Sequence, residues 1–400
     1  MQEIFKNIKG DKAIWAVVAL LALFSFLPVY SASTNLVYVV GSGTTFGYLL
    51  KHGFLLLLGL GIIYAVHQIP YNYFKGLSII AMPITMLLLI YTLAQGTTIG
   101  GANASRWIQV PFVGISFQPS TLASIVLLTH VARYLSKIKD QTIIFKESIL
   151  PLWLPVFVFL ALILPANFST TAILFFLVVV LCFLGGYPWK YLMGIIGAGV
   201  VVLTIFVLTA KAFPGLFPNR VDTWVNRVEN FADGKDTGED YQIERAKIAI
   251  ATGGVVGVGA GKSIMKNFLP QSSSDFIYAI IVEEYGLVGG FLIIGIYLFL
   301  LFRIIIVANK ANSTFGKLLV IAVGLPIVFQ AFVNMAVAVE LLPVTGQTLP
   351  LISSGGTSIW MTCLAIGVIL SVSSKRQEEL ELEERDIDSQ NPLDILSEQL

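Results

Sequence analysis

Charged side chains are scarce in this sequence. Asp, Glu, Lys and Arg make up 12% of its 400 residues, about half the share of a soluble domain. The two signs nearly cancel, leaving a net charge of +1, so no basic field points to nucleic acid. Cysteine is nearly absent. Cys182 and Cys363 both lie in apolar runs, which argues against a disulfide framework or a CxxC metal site and reads as two small buried hydrophobes. His52, His67 and His130 are scattered, with no HExxH and no Cys/His cluster, so no zinc site is expected. The glycine-rich stretch GGVVGVGAGKS, residues 253–263, lacks the glycine that a Walker A loop needs, because Val256 stands five places before Gly261. The dinucleotide pattern fails too, with Lys262 where its third glycine belongs.

What abounds is apolar residues, 56% of the chain, with a mean hydropathy of +0.83. The composition is that of an all-α polytopic membrane protein. Roughly ten runs approach the length that crosses a bilayer. They centre on residues 13–32, 52–67, 75–94, 119–135, 151–165, 170–186, 190–211, 276–302, 317–340 and 356–373. The first is too long for a signal-peptide core and reads as an uncleaved span. Pro119 and Pro151 are expected to open the fourth and fifth spans, where a missing N–H costs nothing.

Lys and Arg set the orientation. One set of short loops holds Lys6, Lys9, Lys12, Lys75, Arg133, Lys137, Lys139, Lys146, Lys190, Arg303, Lys310, Lys317, Lys375 and Arg376, while the opposite set holds little beyond Arg106. Both termini are therefore expected in the cytoplasm. The chain reads as one membrane domain over 1–400, with a large extracytoplasmic loop at 212–275 and an acidic cytoplasmic tail at 375–400, expected to be solvated and flexible. The loop contains GGVVGVGAGKS. ATP is cytoplasmic, so any phosphate held there belongs to something presented at the outer surface.

Asp275 stands where that loop enters the eighth span, in LPQSSSDFIYAIIVEEYGLVGG. Low dielectric penalises an ionised carboxylate there, which suits a general base. A cap is the alternative reading, with Ser274 or Asp275 accepting N–H bonds from the first turn, and the two roles can coexist. Glu283 and Glu284 lie about 12 Å further along the helix axis. That is too far for a paired acid and base, so both read as carboxylates satisfied by a neighbouring helix. On the same face, GGANASRWIQV carries Arg106, and LLPVTGQTLPLISSGGTS, residues 341–358, reads as a re-entrant segment lining a cavity. The loop adds Arg220, Arg227, Arg245, Lys247, Lys262 and Lys266. Together with a carboxylate at a helix edge, they point to an anionic, membrane-embedded substrate with its head group outside.

Five motifs in order resemble the SEDS family of peptidoglycan polymerases, FtsW and RodA, across nearly the whole chain. NASRWI (103–108) resembles their NGAxRWI, and FQPSTLAS (117–124) their FQPSELAK. NFSTTA (167–172) resembles DFGTT, and residues 269–290 resemble LPExHTDFIFAxxxEELGxxG. Residues 333–358 resemble NxxxxxGLLPxTGxxLPxxSxGGSS. GAGKSIMKNFLP (259–270), with Ser263 and Lys266, and WVNRVENF (224–231), with Arg227, resemble the FtsW form more than the RodA form.

The resemblance implies inverting polymerisation of lipid II, with undecaprenyl pyrophosphate leaving and Asp275 as catalytic base. It implies Arg106, Lys266 and Arg227 at the pyrophosphate. Ser263, Asn334, Thr345, Ser353, Gly355, Gly356 and Ser358 are the further substrate-binding candidates. It allows a divalent cation at the pyrophosphate, for which the sequence shows no ligand cage. Its implied partners are a class B penicillin-binding protein and the divisome, at the septum of the bacterial inner membrane. The rivals are a lipid II flippase, an elongation polymerase of the RodA type and a divisome scaffold. The chain departs from the family where Thr121 and Ser124 replace a Glu and a Lys, Asn167 replaces an Asp, and Ser273-Ser274 replace His-Thr. The loss of both charges together is what burial of that pair would demand.

Overall fold

The computed structural model describes residues 9–40, 44–95, 98–99, 102–103, 107–110, 115–139, 141–212, 238–269 and 272–389. Every apolar run lies in a helix. In chain order these are α1 (Lys12–Val40), α2 (Thr45–Val66), α3 (Tyr73–Gln95), α4 (Pro119–Ile138), α5 (Phe145–Ile163), α6 (Phe168–Leu184) and α7 (Trp189–Ala212). There follow α8 (Gly238–Gly253), α9 (Ile277–Lys310), α10 (Thr314–Ala338) and α11 (Gly356–Ser389). Among the described residues, eight helices are long and apolar enough to cross a membrane. The remaining two runs, α4 and α6, differ. α6 has 17 residues, and α4 carries Ser120, Thr121, Ser124, Thr129 and His130 inside its length. Two short antiparallel ribbons, Thr98–Ile99 with Ala102–Asn103 and Ile108–Val110 with Ile115–Phe117, lie between α3 and α4.

Local chemistry sets the helix ends. Asp11 Oδ1 accepts from the N–H groups of Ala13 and Ile14 at 3.0 and 3.1 Å, and its other oxygen pairs with Arg303 of α9. Thr44, Asn167 and Ser313 cap α2, α6 and α10, each accepting from the backbone N–H three residues on. Pro119 sits in the first turn of α4, as expected. Pro151 does not open a span. It lies within a π turn, Ile149–Trp153, inside α5, and its carbonyl accepts from His130 Nε2 at 2.9 Å. A wide turn accommodates the proline's missing donor within the helix. α11 runs on to Ser389, so most of the acidic tail continues a helix rather than forming a loose end. The segment read as one polar loop contains α8, whose Ile243, Ala246 and Ala249 are buried against α9.

α10 is the hub, packing on α4, α6, α8, α9 and α11, with two-thirds of its apolar window buried. α2 packs instead on α1 and α11. α7 touches the bundle at α6 and is 12% buried over its apolar window. The wall formed by α1 and α2 and the wall formed by α4, α6 and α10 leave a cavity between them at one end of the bundle. The residues before α9 and before α11 close that end.

Candidate active site

The cavity has a volume of about 550 Å³. Its walls change character in one direction. From the closed end inward, α4 presents Gln118, Thr121 and Ser124, then Ile125 and Leu128. α6 presents Asn167 and Thr170, then Ile173, Leu174 and Leu177. α2 presents Tyr48, Lys51 and His52, then Leu55, and α11 passes from Ser358 to Met361 and Ala365. α10 runs the other way and passes outward from Val323 and Ile327 to Gln330. Helical spacing of three and four puts each series on one face. The space is therefore polar at its closed end and apolar at its base. That shape suits a molecule with a polar head on an apolar tail.

Asp275 lines the polar end, in the turn 272–276 that leads into α9. Neither Ser274 nor Asp275 is the cap of α9; that position falls to Phe276, without a side-chain capping bond. The turn is held by its carbonyls instead. Ser354 donates to Ser273 O through both N and Oγ, each at 2.9 Å. Ser353 Oγ donates to Ser274 O at 2.6 Å and accepts from Leu349 N at 2.7 Å. Asn334 Nδ2 donates to Asp275 O at 2.8 Å and to Gln347 O at 2.7 Å. Three successive carbonyls are thus clamped by α10 and by Ser353 and Ser354 of residues 341–358, the segment that reads as re-entrant. Gly346 takes φ +67°, which a side chain would strain, although a Cβ there would stand in ordinary contact with Asp275 Oδ2, at 3.5 Å.

The glycine stretch serves another purpose. α9 is broken at Gly286 (φ +68°, ψ −171°), which leaves backbone groups without helical partners. Val258 N and Gly259 N donate to Glu283 O and Glu284 O at 3.0 Å, and Leu287 N and Val288 N donate back to Gly254 O and Val255 O. Gly257, at φ +87°, permits the approach; a Cβ there would lie 2.2 Å from Glu284 O. The loop's N–H groups are therefore spent on the helix break, not on a phosphate. The two glutamates complete the joint. Glu283 accepts from Ser263 Oγ, from Ile264 N at 2.8 Å and from Met265 N at 3.2 Å. Glu284 accepts from Ser31 Oγ and from Ser263 N at 3.3 Å. Both are fully buried. Glu283 is satisfied by the loop rather than by a neighbouring helix, and Glu284 takes one bond from α1 and one from the loop on Oε1 while its Oε2 is buried without a partner.

Several expected contacts are revised by this geometry. Ser263 is buried on Glu283, and Lys266 donates to Ser31 Oγ and Gly261 O at 3.2 and 2.8 Å. Neither lines the cavity. Asn334 and Ser353 stand behind its wall as clamps, and Thr345 Oγ1 is buried without a partner. Gly355, Gly356 and Ser358 do line it, as does Asn167, whose capping bond an Asp would make equally well. Thr121 and Ser124 are half-buried on the cavity wall rather than sealed in protein, with their hydroxyls bonded to Gln118 O and Ser120 O. Arg106 and Arg227 lie outside the described residues. Gln118, Thr170, Gln347 and Lys51 line the cavity without having been singled out. The first two lay inside quoted motifs at helical spacing from Thr121 and Asn167, which was the available signal.

Residues 11–378 match the family model described as Cell cycle protein, which joins FtsW, RodA and SpoVE. The chain is similar to a protein of Coxiella burnetii named probable peptidoglycan glycosyltransferase FtsW, at 31% identity over 90% of this chain and 95% of that one. A protein of the same name from Geobacter sulfurreducens is 33% identical over 91% and 95%. Among solved structures, a chain from a peptidoglycan synthase complex that coordinates polymerization and crosslinking is similar with a TM-score of 0.70 and 26% identity, over 92% of this chain and 98% of that one. The rod shape determining protein RodA of Thermus thermophilus shares the fold, with a TM-score of 0.65 over 92% and 97%. With a family model covering most of its length and curated relatives above 30% identity, this multi-pass membrane protein belongs to the FtsW/RodA/SpoVE family.

Proposed function

We propose that the cavity is where this chain, a peptidoglycan glycosyltransferase, polymerises lipid II, with Asp275 as the base. The observation that carries the reading is the place of Asp275: at the polar end of a space whose base is apolar. Lipid II has the matching form, a disaccharide-pentapeptide joined through pyrophosphate to a polyprenyl chain. Asp275 takes the proton from the 4-hydroxyl of one GlcNAc as that oxygen attacks the anomeric carbon of the growing chain's terminal MurNAc. The bond to pyrophosphate breaks, undecaprenyl pyrophosphate leaves, and the anomeric centre inverts. The clamped carbonyls of residues 273–275 hold the base in place, and such positioning lowers the barrier before any bond changes. The apolar base keeps water from competing as the acceptor. Asp275 is the one carboxylate on the cavity wall among the described residues. A divalent cation would rest on it together with substrate phosphate oxygens.

The closed end of the cavity is the outer face in this reading, both termini are cytoplasmic, and the membrane is the bacterial inner membrane. Relatives named FtsW favour the division septum over elongation. A class B penicillin-binding protein and the divisome are the proposed partners, the former supplying the crosslinking that this chain lacks. The test is polymerisation of labelled lipid II by the purified full chain with such a partner. Glycan strands support the reading. Movement of lipid II across the bilayer without polymer would favour the flippase instead.

A further inference from the structure

Lys51 is the one Lys or Arg on the cavity wall among the described residues. In the sequence it sits just before the apolar run over residues 52–67. The helix begins at Thr45, so Lys51 lies about 9 Å inside α2. A lysine at such depth in a membrane helix faces protein or a polar cavity and marks a ligand path. Its neighbour shows the contrast. His52 is buried against α1, where Ser25 Oγ already gives its hydrogen to Ala22 O, so His52 Nε2 must donate to Ser25 at 2.8 Å. Lys51 is exposed and has no ion pair among the described residues.

Among the described residues, three other cations near that end are engaged elsewhere. Lys247 pairs with Glu340. Arg245 lies over the rings of Tyr241 and Phe268, at 4.8 and 5.6 Å. Lys266 donates to Ser31 and Gly261, off the cavity.

We infer that Lys51 binds the pyrophosphate of the polyprenyl-linked substrate. It anchors the anion where the wall passes from polar to apolar. The inference rests on the polymerase reading above for the identity of the ligand, and on the cavity alone for its charge. An ammonium there stabilises the pyrophosphate both bound and leaving.

The experiment measures binding of undecaprenyl pyrophosphate, undecaprenyl phosphate and undecaprenol to the full chain in nanodiscs, with chelator present. The wild-type chain should prefer the pyrophosphate to undecaprenol by at least about ten-fold. Lys51→Gln should lose about ten-fold in pyrophosphate affinity, Lys51→Arg should recover most of it, and Lys247→Gln should change nothing. Unchanged affinity in a folded Lys51→Gln, or no preference for the pyrophosphate in the wild-type chain, overturns the inference. Polymerisation by the same preparations separates the two readings. Glycan made with an unaltered KM by Lys51→Gln removes the anion site alone. Pyrophosphate bound through Lys51 without any glycan from the wild-type chain removes the polymerase reading alone.

Discussion

Two acidic sites lie near the same end of this apolar bundle, a pair of glutamates and a single aspartate, and they are built in opposite ways. Around Glu283 and Glu284, donors converge from Ser31, Ser263, Ile264 and Met265, and both side chains are sealed from the cavity. Around Asp275 the bonds go to the backbone of the turn, and the carboxylate side chain lines the cavity. The first arrangement anchors the loop whose residues 254–259 pair the backbone groups freed at the helix break, since such groups are costly at membrane depth. The second fixes the backbone that carries a side chain on the cavity wall. An acid in a membrane segment is a functional candidate by default. Where its bonds end decides whether it is also part of a joint.

The contrast breaks most severely at the joint. Gly257→Ala puts a Cβ within 2.2 Å of Glu284 O at a positive φ, so we expect a loss of at least about 2–3 kcal/mol. Thermal unfolding in detergent should show a lower midpoint, together with poor yield. Glu283→Ala should cost a similar amount by stranding Ser263 Oγ and the N–H groups of Ile264 and Met265. A normal melting curve for either variant would remove the structural role assigned to the loop.

On the cavity side, effects should fall on turnover rather than folding. Thr121→Glu places a second carboxylate in the space that holds Asp275, and should lower polymerisation about ten-fold with little change in melting. Adding Ser124→Lys, three residues on along α4, should bring the rate back to within about three-fold. Effects that merely add would show that the two positions do not pair. The smallest change belongs to the exposed pair of Lys247 and Glu340, with side chains 51% and 42% exposed. Lys247→Gln should shift stability by less than about 1 kcal/mol and leave glycan synthesis intact.

The helices were legible because a membrane helix must be apolar along most of its length, and all ten runs lie in helices. The edges were not. Lys51 bounds an apolar run because charge counts against a span, yet the helix extends about 1.7 turns beyond it, and only the cavity explains its place. α8 was missed because GEDYQIERAKIAIATG is polar on most of its faces; Ile243, Ala246 and Ala249 mark a narrow buried stripe. At the site, Asp275 and the GGTS segment stood out by chemistry as well as by resemblance. Ser263 stood out by resemblance alone and Lys266 by resemblance and as one of several loop cations, and a motif marks a position without saying which way it faces. Asn334 and Ser353 could not be told from ligands by sequence, since a clamp and a contact use the same polar atoms.

The most direct measurement sets the two acidic sites side by side. Asp275→Asn and Glu283→Gln are purified as full chains, melted, and given labelled lipid II with a penicillin-binding partner. We expect Asp275→Asn to melt like the wild-type chain and to lose at least about two orders of magnitude in polymerisation. We expect Glu283→Gln to melt lower and, below its transition, to polymerise within about three-fold of wild type, since it touches no substrate. Near-normal glycan synthesis by Asp275→Asn, or loss of synthesis in a folded Glu283→Gln, would contradict the division of roles.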